Sequence, residues 1–150
     1  MKISRHQVAV ITGAGGGLGR SLAVQLAEKG CHLALVDIDQ SALEATRNYL
    51  LFEDINISLH QADVGDVDAM RQLHSEVIEV HGAVNLLINN AGITLQKSFK
   101  KSFKKSFSSH SLDDWRRVMN VNLWGPLYSC KLFLESLKKE HQAHIFQKSR

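Results

Sequence analysis

The chain is poor in the residues that mark several protein classes. It has one proline, two cysteines and 7% aromatic residues in 150. No apolar run approaches the ~20 residues that a membrane helix needs, so no membrane partner is expected. The opening, MKISRHQVAVITGAGGG, carries an apolar run too short for a secretory leader. Cys31 and Cys130 lie far apart and are too few for a disulfide framework or a zinc knuckle. The cytoplasm is therefore the expected compartment. The eight histidines show no ligand pattern. His141 and His144 are close but lack a carboxylate or thiolate companion, so surface histidines are expected and no metal site. Charged residues at 22% against 44% apolar exclude wholesale disorder, and the length suits one domain.

The net charge of +3 has a local source. A four-residue unit, KSFK, repeats at 97–100 and 101–104, and returns as KSFS at 105–108. Without Lys97, Lys100, Lys101 and Lys104 the balance would be −1. The basic character thus belongs to an insert, and no nucleic-acid partner is expected. Tandem duplication is the plain reading of this segment. The alternative is a basic amphipathic helix, with Phe99, Phe103 and Phe107 four residues apart, facing an anionic membrane or an acidic partner.

Glycine, by contrast, is concentrated: five of the ten fall between residues 13 and 19. They follow Val8–Ile11, a β-branched run that reads as a strand buried on both faces. Beyond them Leu18, Leu22 and Leu26 recur at helical spacing, and Gly30 suits a C-terminal cap. Leu33–Val36 is a second buried strand, ended by Asp37. A helix from Asp39 to Leu50 follows, with Leu43, Thr46 and Leu50 on one side. Ile55, Ile57 and Leu59 alternate as a third strand, and Asp63–Asp66 is a turn. Met70, Leu73, Val77 and Val80 mark a third helix ending near Gly82. Val84–Ile88 is a fourth strand. Ile93 to His110 breaks the rhythm. Ser111, with Asp114 three residues on, caps a long helix whose face carries Trp115, Val118, Met119, Asn122 and Leu123. Ala143–Phe146 is a fifth strand. Strands alternating with helices imply an α/β fold with right-handed crossovers and a parallel sheet covered on both faces.

The first βα turn reads Thr12-Gly13-Ala14-Gly15-Gly16-Gly17-Leu18-Gly19. Such a turn lets a pyrophosphate approach the backbone at a helix N-terminus, where N–H groups are unpaired. A glycine-rich turn without a ligand is the alternative. Asp37, at the end of the second strand, can accept hydrogen bonds from both ribose hydroxyls and would repel a 2′-phosphate, which favours NAD over NADP. A helix-capping role could coexist with that one.

Together with Asp63-Val64, Asn89-Asn90-Ala91-Gly92 and Trp115…Asn122-Leu123-x-Gly125, these motifs resemble the short-chain dehydrogenase/reductase family over roughly Val8 to Ile145. The resemblance implies a Rossmann-type, doubly wound, three-layer α/β/α domain across residues 1–150, C-terminally incomplete, with 97–108 as the insert. It implies a dinucleotide cofactor and an alcohol or ketone substrate exchanging hydride with the nicotinamide. Thr12, Gly13, Gly15, Gly16, Gly17, Leu18 and Gly19 would take the pyrophosphate side, Asp63 and Val64 the adenine, and Asn90, Ala91 and Gly92 the cofactor's ribose. Asn122 would be the catalytic-site asparagine; on an apolar helix face its amide needs partners, and a satisfied core amide is the alternative. Pro126 has no N–H for the Asn122 carbonyl, so a kink is expected there. In the family that carbonyl holds a water of the proton relay. Family members form dimers or tetramers through the helix that starts near Ser111 and the next one.

The family also needs a serine and a Tyr-x-x-x-Lys. The tyrosines are Tyr49 and Tyr128, with Glu53 and Leu132 four residues on. Ser149 is a candidate for the serine. The reading is a cofactor half, cut or frame-shifted at its end, with little or no turnover. Two alternatives remain: a non-catalytic dinucleotide-binding protein, and an interaction module that uses the Lys/Phe insert.

Overall fold

A computed structural model describes residues 3–50, 54–95 and 110–148. The 97–108 repeat and Ser149 lie outside these residues. Among the described residues, β1 (Val8–Thr12), β2 (His32–Asp37), β3 (Ile57–Gln61), β4 (Leu86–Asn89) and β5 (His144–Gln147) form one parallel sheet in the order β3-β2-β1-β4-β5. Between and after the strands run the α-helices α1 (Gly17–Glu28), α2 (Gln40–Arg47), α3 (Val67–His81), α4 (Leu112–Met119) and α5 (Gly125–Lys138), of which α1, α2, α3 and α5 pack on the sheet. This is the doubly wound sheet that strand and helix alternation requires, and β1 lies at its centre.

Side-chain alternation divides the core into two layers. Ala9, Ile11, Leu33, Leu35, Leu86 and Ile88 face one way and pack with Ala23, Leu26 and Leu43 of α1 and α2. Val10, Ala34, Val36 and Leu87 face the other way and meet Met70, Leu73, Val77, Phe133 and Leu137 of α3 and α5. Both faces of each inner strand are therefore apolar, which is why these strands read as continuous runs. Local signals place the helices. Asp39 accepts the Ser41 and Ala42 N–H groups, Asp66 accepts those of Asp68 and Ala69, and Ser111 and Asp114 form a reciprocal capping box. Gly30 and Gly82 close α1 and α3 with φ of 78° and 72°.

Several faces depart from the sequence reading. In α1 the buried stripe is Gly19, Ala23, Leu26 and Ala27, whereas Leu18 is 51% exposed. Of the three leucines at helical spacing, Leu26 is buried and Leu22 packs partly against the same core, so only Leu18 leaves the stripe. The α2 helix stops at Arg47, and Leu50 is buried in the turn beyond it. In α3, Met70, Leu73 and Val77 are buried, while Val80 is exposed. The helix after Ser111 is interrupted: a π turn spans Asn120–Trp124, closed by Gly125 N–H on the Asn120 carbonyl. The interruption directly precedes Pro126, at the crossing with the loop after β3. There a Cβ on Gly125 would sit 2.9 Å from Val64 Cγ2, and one on Gly65 would sit 3.1 Å from Asn120 Cβ. The α4 helix buries no residue, so its amphipathic face does not meet this chain's core.

Candidate functional site

The carboxyl ends of β1 and β4 lie side by side at the centre of the sheet, where the strand order reverses and crevices form. A cleft of about 360 Å³ opens there. Its floor is the glycine turn. Gly13 has φ 67°, a left-handed conformation that favours glycine, and a Cβ on it would sit 2.9 Å from Ala91 Cα. A Cβ on Gly19 would overlap the Gly13 carbonyl oxygen. The first helical bond of α1 runs from Arg20 N–H to the Gly16 carbonyl, so Gly17, Leu18 and Gly19 have no helical acceptor. Gly16, the N-cap, has no side chain to cap them. These N–H groups stand at the positive end of α1, the arrangement of donors and dipole that suits an anion.

Two carboxylates stand along the wall. Asp37 Oδ2 accepts Gly15 N–H at 2.9 Å, and its Oδ1 accepts Asp39 N–H at 3.1 Å. Asp63 Oδ1 accepts Gly65 N–H at 2.8 Å, which shapes the loop after β3. On the opposite side, Thr12 fastens the chain leaving β4. Its Oγ1 accepts the Asn90 and Ala91 N–H groups, each at 3.1 Å. Asn90 Nδ2 donates to the carbonyls of Thr12 and Gly13 at 3.0 and 3.1 Å. Asn90 Oδ1 is buried and without a partner among the described residues. A buried acceptor left unmade is costly, so a donor from a ligand in the cleft would find a ready position.

Gly13, Gly16, Gly17, Leu18, Gly19, Asp37, Asp63, Val64, Asn90, Ala91 and Gly92 all line the cleft. Thr12, Gly15 and Asn122 do not. Thr12 is 2% exposed and acts as the fastening just described. Gly15 is turned inward, where a Cβ would sit 2.6 Å from the Ala42 Cβ. Asn122 is exposed rather than seated on a buried face, because the helix face that carries it points away from the core. Its amide is nonetheless satisfied at both ends by one residue: Oδ1 accepts Ile93 N–H at 2.9 Å, and Nδ2 donates to the Ile93 carbonyl at 2.8 Å. Asn122 therefore pins the segment leaving β4 to the π turn.

The cleft also includes Ile38, Ala62, Ile93, Arg117, Val121 and Lys148, which the sequence reading did not single out. Ile38, Ala62 and Val121 are chain neighbours of named residues. Arg117 and Lys148 gave no signal, because an isolated cation on a helix or after a strand reads as solvated surface.

A second polar cluster lies where α3 crosses the edge strand β3. Ser58 Oγ is 2.7 Å from His60 Nε2 and 2.8 Å from His81 Nε2, and His60 Nδ1 is 3.0 Å from Glu76 Oε2. His60 is 5% exposed, which corrects the expectation that the histidines lie on the surface. Burial and the facing His60 and His32 rings push the His81 pKa down to about 4. Its hydrogen bonds to His60 and Gln72 hold the Glu76 carboxyl below the usual carboxylate range.

The family model for short chain dehydrogenases matches residues 7–149. An uncharacterized oxidoreductase of Thermotoga maritima is 32% identical over 127 residues, covering 85% of this chain and 46% of its own length. The crystal structure of a short-chain dehydrogenase/reductase from Burkholderia phymatum, in complex with NAD, superposes with TM-score 0.81 at 32% identity, over 97% of this chain and 49% of that one. A metagenomic short-chain oxidoreductase in complex with NADP has the same TM-score at 26% identity, over 96% of this chain and 61% of that one. The chain thus spans about half the length of the curated relatives it matches. With one family model running almost from end to end and the same sheet recurring in solved members, the chain belongs to the short-chain dehydrogenases.

Proposed function

We propose that the cleft binds a nicotinamide dinucleotide, NAD in preference to NADP, for hydride exchange with an alcohol or ketone carbon. The observation that carries this reading is the Asp37 carboxylate, held at the cleft wall by the Gly15 and Asp39 N–H groups. A fixed anion there accepts from ribose hydroxyls and repels a 2′-phosphate. The first-turn N–H groups of α1 would hold the pyrophosphate, Asp63 and Val64 the adenine, and Asn90, Ala91 and Gly92 the second ribose. Thr12 and Gly15 act from behind, by fixing Asn90 and Asp37. Nicotinamide, when bound, supplies or accepts the hydride. Asn122 keeps the family role of catalytic-site asparagine as part of this proposal, and its bonds to Ile93 support a positioning share in it.

Binding without turnover is the second reading, and a specific observation favours it for these 150 residues. Neither Tyr49 nor Tyr128 has a lysine four residues on, so the alcohol proton has no general acid/base of the family type. Titration of the chain with NAD and NADP tests both. The expected result is NAD binding, no NADH formed with added alcohols, and a loss of about tenfold in NAD affinity in Asp37→Ala, the scale of one hydrogen bond to a charged group. Equal affinity for NAD and NADP would remove the proposed preference. Failure to bind either would remove the dinucleotide. Steady NADH production would remove the second reading.

A further inference from the structure

Behind the glycine turn, Asp37, Gly15, Arg20, Thr46 and Ala14 are joined in series by hydrogen bonds. Gly15 N–H donates to Asp37 Oδ2 at 2.9 Å. The carbonyl of the same Gly15 accepts Arg20 Nη2 at 3.1 Å. Arg20 Nε donates to Thr46 Oγ1 at 3.1 Å, and the Thr46 hydroxyl donates to the Ala14 carbonyl at 2.9 Å. Thr46 is fully buried, at 0% exposure, on the inner face of α2. The guanidinium lies 5.0 Å from the centre of the Tyr49 ring. Neither Arg20 nor Thr46 lines the cleft.

The arrangement solves a particular problem. A run of glycines is the most pliable backbone available, and nothing in its own chemistry fixes the direction of an N–H. The Asp37 carboxylate takes its orientation from two such N–H groups, one of which belongs to that run. Here two successive carbonyls of the turn, at Ala14 and Gly15, are gripped from α2 and α1. Arg20 spans the Gly15 carbonyl with Nη2 and the Thr46 hydroxyl with Nε at once, and a lysine has no such fork. The cation is turned onto Thr46 and Tyr49, away from the anion-binding face of the turn.

We infer that Arg20 and Thr46 are positioning residues for ribose discrimination: they hold the Gly15 N–H on Asp37 and so fix the carboxylate that separates a 2′-hydroxyl from a 2′-phosphate. The inference rests on the dinucleotide role proposed for the cleft.

The test is the ratio of NAD to NADP affinity in the full chain, with folding followed by circular dichroism. Arg20→Ala and Thr46→Val are expected to lower the ratio about tenfold. Thr46→Ser keeps the hydroxyl and is expected to hold the ratio of the unaltered chain. Arg20→Lys, with one donor point, is expected to behave as Arg20→Ala. In an Asp37→Ala background, Arg20→Ala should change the ratio no further, because the two act through one carboxylate. If Arg20→Ala does not fold, the Thr46→Ser and Thr46→Val pair decides. An unchanged ratio in Arg20→Ala and Thr46→Val, with Asp37→Ala still abolishing the preference, would overturn the inference and leave the proposed function standing. So would equal weakening of both nucleotides. If the unaltered chain binds neither nucleotide, the proposed function falls, and this inference falls with it.

Discussion

At the scale of single residues, the turn after β1 separates two reasons for being glycine. A Cβ on Gly19 meets backbone, the Gly13 carbonyl and Ala14 Cα, and neither can yield without opening the turn. Gly19→Ala is expected to destabilise the fold by more than about 2 kcal/mol, as overpacking against main chain does, read by urea unfolding. A Cβ on Gly17 meets nothing within 4 Å, although the residue lines the cleft. Gly17→Ala should therefore leave stability within about 1 kcal/mol while weakening NAD binding. Normal NAD binding by the Gly17→Ala chain would show that the dinucleotide lies elsewhere. The glycine spacing and Asp37 are legible in sequence because their chemistry is local. The inward turn of Gly15 and the pairing of Asn122 with Ile93 are not, since each depends on a partner many residues away.

Among the elements, α3 and β3 meet through groups whose charge depends on pH. The pKa of His81 falls from its ordinary 6.5 to about 4 in the fold, so the neutral form stabilises the native state. That contribution is complete above about pH 6.5 and is lost as the pH falls toward about 4. Glu76 acts with the same sign, because its lowered pKa also favours the fold at higher pH. The groups facing His81 are Ser58, His60 and His32 from the sheet, and none supplies an anion to a protonated ring. The Tm is thus expected to fall on acidification from about pH 7 to about pH 4, and His81→Gln should flatten that slope. A slope unaltered in His81→Gln would assign the acid sensitivity to other groups. The π turn makes a second case. In Pro126→Ala the new N–H can reach the Asn122 carbonyl, and the wide turn should close into α-helix. A crystal structure with the turn unchanged would show that the crossing at Val64 and Gly65, not proline, shapes it. Strand and helix order is legible from periodicity, yet the faces of α1 and α4 are not. Periodicity reports that a helix has an apolar side without reporting what that side meets.

For the molecule as a whole, the helices after Ser111 leave a large apolar surface. Met119, Leu123, Leu127 and Leu134 are 46%, 51%, 51% and 41% exposed, and Trp124 stacks on Tyr128 beside them. Apolar patches of this kind mark interfaces. The chain is expected to self-associate, and Leu123→Glu with Leu127→Glu to give monomers by sedimentation velocity. A monomeric unaltered chain would refute this. Sheet order has another consequence, which concerns the time at which the fold forms. The central strand β1 is buried on both sides, and one of its two neighbours, β4, is synthesised only after β2, β3 and three helices, with Ala9 set against Leu86. Until then β1, the most apolar of the described strands, has an open edge, and pairings this distant are slow to close. In pulse-labelled exchange during refolding, the β1 amides should gain protection together with those of β4. Early protection of β1 alone would mean that β2 and α1 suffice to shelter it. If the two strands do close together, chaperones will meet this chain in the interval between them.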